Sequence, residues 1–177
     1  QFSTRAESDL YFGGMVKQGG FGKFFHYREP APIDHQDVIR MNRDTLYSGG
    51  VFDLDAGPVT ITMPDPGKRF MSLQLFDEDE YSPLVAYGAG ARTLTRDKIG
   101  TRYGMAAVRT LIDPNDPKDI AEVHRLQDAI RIEQKGGPGQ FETPEWDGAS
   151  RSKVRDALLV LGSTLPGLNG AFGTRDK

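Results

Sequence analysis

The stretch RMNRDTLYSGG, from Arg40 to Gly50, sets two arginines, an asparagine, an aspartate and a tyrosine among apolar neighbours. Arg40, Asn42 and Asp44 share one parity, so an extended backbone puts them on one face, with Arg43 and Tyr47 on the other. An arginine beside a carboxylate can form a bidentate pair, and asparagine adds a donor and an acceptor. Such a group suits a bound carboxylate, sugar hydroxyl or phosphate. It also suits general-base chemistry at Asp44, provided burial raises the carboxyl pKa. A structural role fits the same residues, because Asn and Asp in NRDT can bond their own backbone in a tight turn and Arg40 can lock the bend.

Other candidates are weaker. The acidic run DEDEY, Asp77 to Tyr81, offers the oxygens Ca²⁺ prefers, but the EF-hand pattern is absent and a solvated loop is the expectation. His26, His35 and His124 form no H-x-x-x-H pair, so no zinc site is expected. A Ser/His/Asp triad stays open, yet Ser48 in YSGG lacks the strand-to-helix elbow of G-x-S-x-G enzymes. Gly19-Gly20-Phe21-Gly22 lacks the preceding strand and following helix of a phosphate loop. No cofactor is expected. Arg92, Arg96, Arg102 and Arg109 could line a pocket, and isolated surface arginines explain them equally well.

These residues need elements to position them. DTLYSGGVFDLD alternates Leu46, Ser48, Gly50 and Phe52 against Tyr47, Gly49 and Val51, the period of a strand. PVTITMPD puts Val59, Ile61 and Met63 on one face, and RFMSLQLFD does the same with Met71, Leu73 and Leu75. The short DPGKR turn between them predicts a β-hairpin. PLVAYGAG and GMAAVRTLID are further strand candidates. Thr4-x-x-Glu7 has capping-box spacing and predicts a helix near 4–12, weakening at Gly13-Gly14. Asp116 as N-cap and Pro117 at the first helical position predict a helix over 117–134. A helix over 150–161 carries Val154, Ala157, Leu158 and Leu161 as one core-facing stripe.

Strands first and helices later predict a mainly β, α+β chain in one domain over 1–177, either with strands and helices segregated or as a helix-decorated β-sandwich. Composition agrees with a globular chain: 37% hydrophobic, 27% charged, 21 glycines, net charge −3. Interspersed acids and bases give no basic face for nucleic acid. No apolar run is long enough for a membrane span. The absence of cysteine excludes disulfides, thiolate metal sites and a cysteine nucleophile.

Taken in order, VIRMNRDTLYSGGVFDLDAGPVTITMPDPGKRFMSLQLFDEDEY, YGAGARTLT and VRTLIDPNDP resemble the bacterial family of domain of unknown function 1254, from about Thr4 to Arg175. The resemblance implies an antiparallel, immunoglobulin-like β-sandwich with added helices, export behind a signal peptide, a periplasmic or secreted location, and a second β-rich domain, of unknown function 1214, after Lys177. It implies no reaction, and it points to Arg40, Asn42, Asp44 and Tyr47. The expected function is a ligand-binding or accessory module of the cell envelope, with a small molecule or glycan as ligand. The alternatives are a hydrolase-like enzyme using Asp44 with Arg40 or Arg43, and a purely structural envelope protein. If a second domain or chain follows, an apolar patch from the strands and last helix should await it.

Overall fold

The computed structural model describes residues 2–34 and 42–167. Over these described residues it is a mixed α+β chain with two antiparallel sheets and four helices. In order they are α1 (Phe2–Lys17), β1 (Phe25–His26), β2 (Thr45–Asp53), β3 (Val59–Met63), β4 (Met71–Asp77) and β5 (Leu84–Tyr87). Then follow β6 (Gly90–Leu94), α2 (Arg96–Ile99), β7 (Tyr103–Leu111), α3 (Pro117–Asp128), β8 (Arg131–Glu133) and α4 (Gly148–Gly162). One sheet runs β1-β2-β7-β4-β5 and the other β6-β3-β8.

The period-two strands pair as their apolar faces require. β2 and β7 match along their full length, Thr45 opposite Leu111 through Asp53 opposite Tyr103. Phe52, Leu73, Leu75, Ala106 and Val108 face one core, which Val59, Ile61 and Met63 of β3 and Leu94 of β6 enter from the second sheet. The expected β3–β4 hairpin does not form. β3 pairs with β6 and β8, whereas β4 pairs with β7 and β5. Both strands bury their apolar faces in the same core from different sheets, and the proline-interrupted connector crosses between them. The physical reason is burial: a flat hairpin would leave two apolar faces side by side with nothing over them.

α1 does not weaken at Gly13-Gly14. It continues to Lys17 and stops at Gly19, whose φ of +97° suits glycine and ends the helix, with Gly20 N–H donating to the Met15 carbonyl at 3.0 Å. Two interior glycines disfavour a helix by about 1 kcal/mol each. Burial of Phe12 and Met15 against Val51, Tyr103 and Met105 outweighs that. α3 begins as expected, with Asp116 accepting from the Lys118 amide at 2.9 Å, but ends at Asp128 rather than 134. Arg131–Glu133 instead pairs with β3, because Ile130 and Ile132 bury against the core.

The stripe of α4 faces no core. None of its residues is buried, and Val154, Leu158, Leu161 and the following Leu165 are exposed. α4 meets the rest of the chain near α1, through Arg151 beside Glu7 at 3.6 Å.

Candidate functional site

The outer face of the five-stranded sheet is only partly covered. α1 lies over its β2 side, seated where β2 carries no side chain. A Cβ on Gly49 would come within 2.5 Å of the Met15 methyl. This explains the first glycine of the SGG triplet. The second, Gly50, lets the Lys23 carbonyl approach, since a Cβ there would meet that oxygen at 2.7 Å.

Beyond Met15 the helix and sheet diverge around a cleft of about 780 Å³. Its floor comes from the strand faces turned away from the main core: Tyr47 of β2, Met105, Ala107 and Arg109 of β7, and Gln74 and Phe76 of β4. Leu10, Tyr11 and Gly14 of α1 form the wall, and Asn42 and Tyr27 lie at the rim. The Tyr27 hydroxyl donates to Gln18 Oε1 at 2.6 Å, tying the rim to the end of α1.

Arg109 is the charged centre of that floor. It sits directly across from Tyr47 on one side and Ser72 on the other. Its guanidinium carbon lies 5.5 Å from the centre of the Tyr47 ring, a cation–π contact. Its Nε is buried and has no hydrogen-bond partner among the described residues. Glu7 also lines the cleft, but Arg151 stands beside its carboxylate.

The residues singled out in the sequence separate in space. Arg40 and His35 lie outside the described residues. Asn42 and Tyr47 reach the cleft. Arg43 instead donates from Nε to the Ala31 carbonyl at 2.7 Å. Asp44 is exposed, and its backbone carbonyl accepts from the Ile112 amide at 2.8 Å. The four arginines also part company. Arg92 bonds its neighbour's carbonyl, Arg96 meets Asp55, Arg102 grips Asp53, and Arg109 alone of the four enters the cleft. Arg109 could have been found by parity, because it follows Met105 and Ala107 on the strand face opposite Ala106 and Val108.

Three neighbouring clusters are structural. Asp53, with its side chain 3% exposed, accepts from Arg102 Nη2 at 2.9 Å and Nε at 3.2 Å, and from the Asp55 amide. Burial works to raise its pKa, but these donors and the Gln140 amide hold it below the usual carboxylate value. The acidic run is not the solvated loop its composition predicts. Asp77 is 1% exposed and caps a turn by accepting from the Asp79 and Tyr81 amides, while Arg5 pairs with Glu78 and Asp79. The turn's own amides and one arginine satisfy charges that would otherwise need water.

The third cluster looks catalytic at first. His26 Nδ1 lies 2.7 Å from Ser48 Oγ. However, Ser48 is 1% exposed, and Gln127 Nε2 under α3 donates to Oγ at 3.2 Å. One hydrogen is shared between Oγ and Nδ1, and the imidazole tautomer sets which atom donates it. Burial, helped by the nearby Arg28 charge and opposed by Asp128, keeps the His26 pKa below its usual value. The pair is a part-buried polar clasp between β1, β2 and α3.

Among known proteins, a crystal structure of the VPA0106 protein from Vibrio parahaemolyticus is similar in fold, at TM-score 0.56 and 15% identity. The likeness covers 84% of this chain and 40% of that one, so this chain spans about two fifths of the longer protein. No curated protein matches. A family model described as a protein of unknown function, DUF1254, matches residues 21–96. That segment holds Asn42, Arg43, Asp44 and Tyr47 but stops short of Arg109, and the match supports over residues 21–96 the family resemblance drawn from NRDTLYS and its neighbours.

Proposed function

We propose that this chain is a small-molecule-binding module whose ligand occupies the cleft between α1 and the outer face of the five-stranded sheet. One observation carries the reading: an apolar floor and wall converge on a few polar groups, Asn42, Gln74 and Arg109, around about 780 Å³. Small-molecule sites have this composition and typically enclose about 300–1,000 Å³. The family resemblance adds the setting, an accessory module of the bacterial envelope, periplasmic or secreted. In the same reading the sheets are the two layers of an immunoglobulin-like β-sandwich, and a second β-rich domain or chain sits beside it. No described helix is long and apolar enough to cross a membrane.

The hydrolase alternative draws less support. It needs Asp44 with Arg40 or Arg43 to converge on a pocket, yet among the described residues neither Asp44 nor Arg43 lines the cleft. The test uses Gly14, which lines the cleft and has nothing within 4 Å of a Cβ built on it. Gly14→Trp should fill the space without disturbing the helix. A thermal-shift panel of organic acids, glycans and apolar compounds should give hits on the parent protein that disappear in this variant. Hits that survive in Gly14→Trp, or a wholly silent panel with intact protein, would count against the cleft.

A further inference from the structure

Resting on the cleft reading above, we infer that the ligand is an organic monocarboxylate with an apolar body, and that Arg109 holds its carboxylate. Most guanidinium groups packed against this fold meet a carboxylate: Arg5 with Glu78 and Asp79, Arg28 with Asp128, Arg69 with Asp119, Arg102 with Asp53. Arg109 does not. It is half-buried on a central strand, and its buried Nε has no hydrogen-bond partner among the described residues. A buried donor left without an acceptor is unfavourable, and a charged one more so. Such a group calls for a partner from outside the fold, a water, an ion or a ligand, and Arg109, its buried Nε unpartnered, is the one arginine among the described residues that lines the cleft.

Geometry narrows the ligand. The Tyr47 ring supports the guanidinium through its face, which leaves the planar edge of the fork for a second partner. That edge matches the two oxygens of a carboxylate. A phosphate dianion fits less well, because Arg109 is the only lysine or arginine among the described residues lining the cleft and Glu7 shares the lining. Apart from a few uncharged polar groups and Glu7, the remaining surface is largely apolar. Leu10 and Tyr11 are exposed on the wall, and Met15, Phe76 and Met105 stand around the floor. Thioethers adapt to irregular apolar shapes, so the body of the ligand can vary more than its head.

The experiment titrates the 177-residue protein with decanoate and 2-naphthoate, and with the neutral counterparts decan-1-ol and 2-naphthamide, followed by amide NMR. The carboxylates should shift Tyr47, Gln74 and Ala107 and bind at least tenfold more tightly than the neutral compounds. In Arg109→Gln the carboxylates and their neutral counterparts should bind equally. Arg109→Lys, which keeps charge but loses the fork, should fall between. The Nε–H resonance of Arg109 in the parent protein should move with the carboxylates alone, a readout that does not depend on any variant folding. Equal binding of both classes, or a preference that survives Arg109→Gln, would overturn the inference and leave the cleft reading standing. Silence of the cleft amides toward all four probes would overturn both.

Discussion

The paired glycines of SGG give the sharpest test of how α1 and the sheet are fitted. Alanine at either position removes unfolded-chain freedom, which by itself stabilises a strand by about 0.5–1 kcal/mol. At Gly50 the new methyl would sit 2.7 Å from the Lys23 carbonyl oxygen and 3.2 Å from Phe52 Cζ. Backbone and a buried ring cannot swing aside, so the overpacking penalty belongs near the upper end of about 1–3 kcal/mol. The net expectation for Gly50→Ala is a loss of about 2 kcal/mol. At Gly49 the clash, at 2.5 Å and 2.9 Å, is with the end of the Met15 side chain. A thioether can rotate, so the penalty belongs near about 1 kcal/mol and the net loss near zero to about 0.5 kcal/mol. Urea unfolding followed by far-UV circular dichroism and by Trp146 fluorescence reads both. At roughly 2–4 °C per kcal/mol for a chain of this size, Gly50→Ala should lower Tm by roughly 4–8 °C and Gly49→Ala by no more than about 2 °C. If Gly49→Ala destabilises as much as Gly50→Ala, the argument from backbone against flexible side chain is refuted.

Asp53→Asn removes the charge that Arg102 grips while keeping the shape. It should destabilise by about 2–3 kcal/mol, below the range for a fully buried pair because Arg102 is one-third exposed, as urea unfolding would record. Stability should also fall in two stages with acid. The lowered His26 pKa means the unfolded chain takes a proton first, so stability is complete above about pH 6.5 and declines as pH drops below it. Asp53, Asp119 and Asp128, all held low, add a second loss that begins only below about pH 4 and runs through their lowered pKa values. In His26→Gln the first stage should be missing from a pH series of Tm. Leu161→Lys on α4 should change stability by less than about 0.5 kcal/mol, because the side chain is exposed; a larger loss would mean the helix packs where it shows no contact.

Much of this fold could be read from the chain because side-chain period follows backbone geometry. Val59, Ile61 and Met63 alternate in sequence and are buried together. What partners them is not local. The DPGKR turn would serve a hairpin, and only the shared core decides that β3 and β4 enter different sheets. Gly13 and Gly14 signal a helix end, and only the anchorage of Phe12 and Met15 carries α1 past them. The α4 stripe shows a further limit: a period identifies an apolar face and says nothing of what covers it. At the site, the polar cluster around Asp44 drew attention by its density, yet Arg43 serves the Ala31 carbonyl. Arg109 was harder to weigh, since an arginine on a strand reads as a surface residue until the opposing α1 wall is known.

The register of the central strands also sets a timetable for synthesis. Thr45 must find Leu111 and Asp53 must find Tyr103. At about 5–20 residues per second, the intervening fifty or so residues keep β2 waiting several seconds on the ribosome. Until β7 emerges, α1 lacks half of its seat, because Tyr103 and Met105 are still unmade. Pairings this distant also close late on refolding, in the millisecond-to-second range rather than microseconds. The nascent chain therefore holds an apolar strand, met by only the short β1 on one side and open on the other, for longer than a hairpin protein would, and its hazard of mispairing is concentrated in that interval.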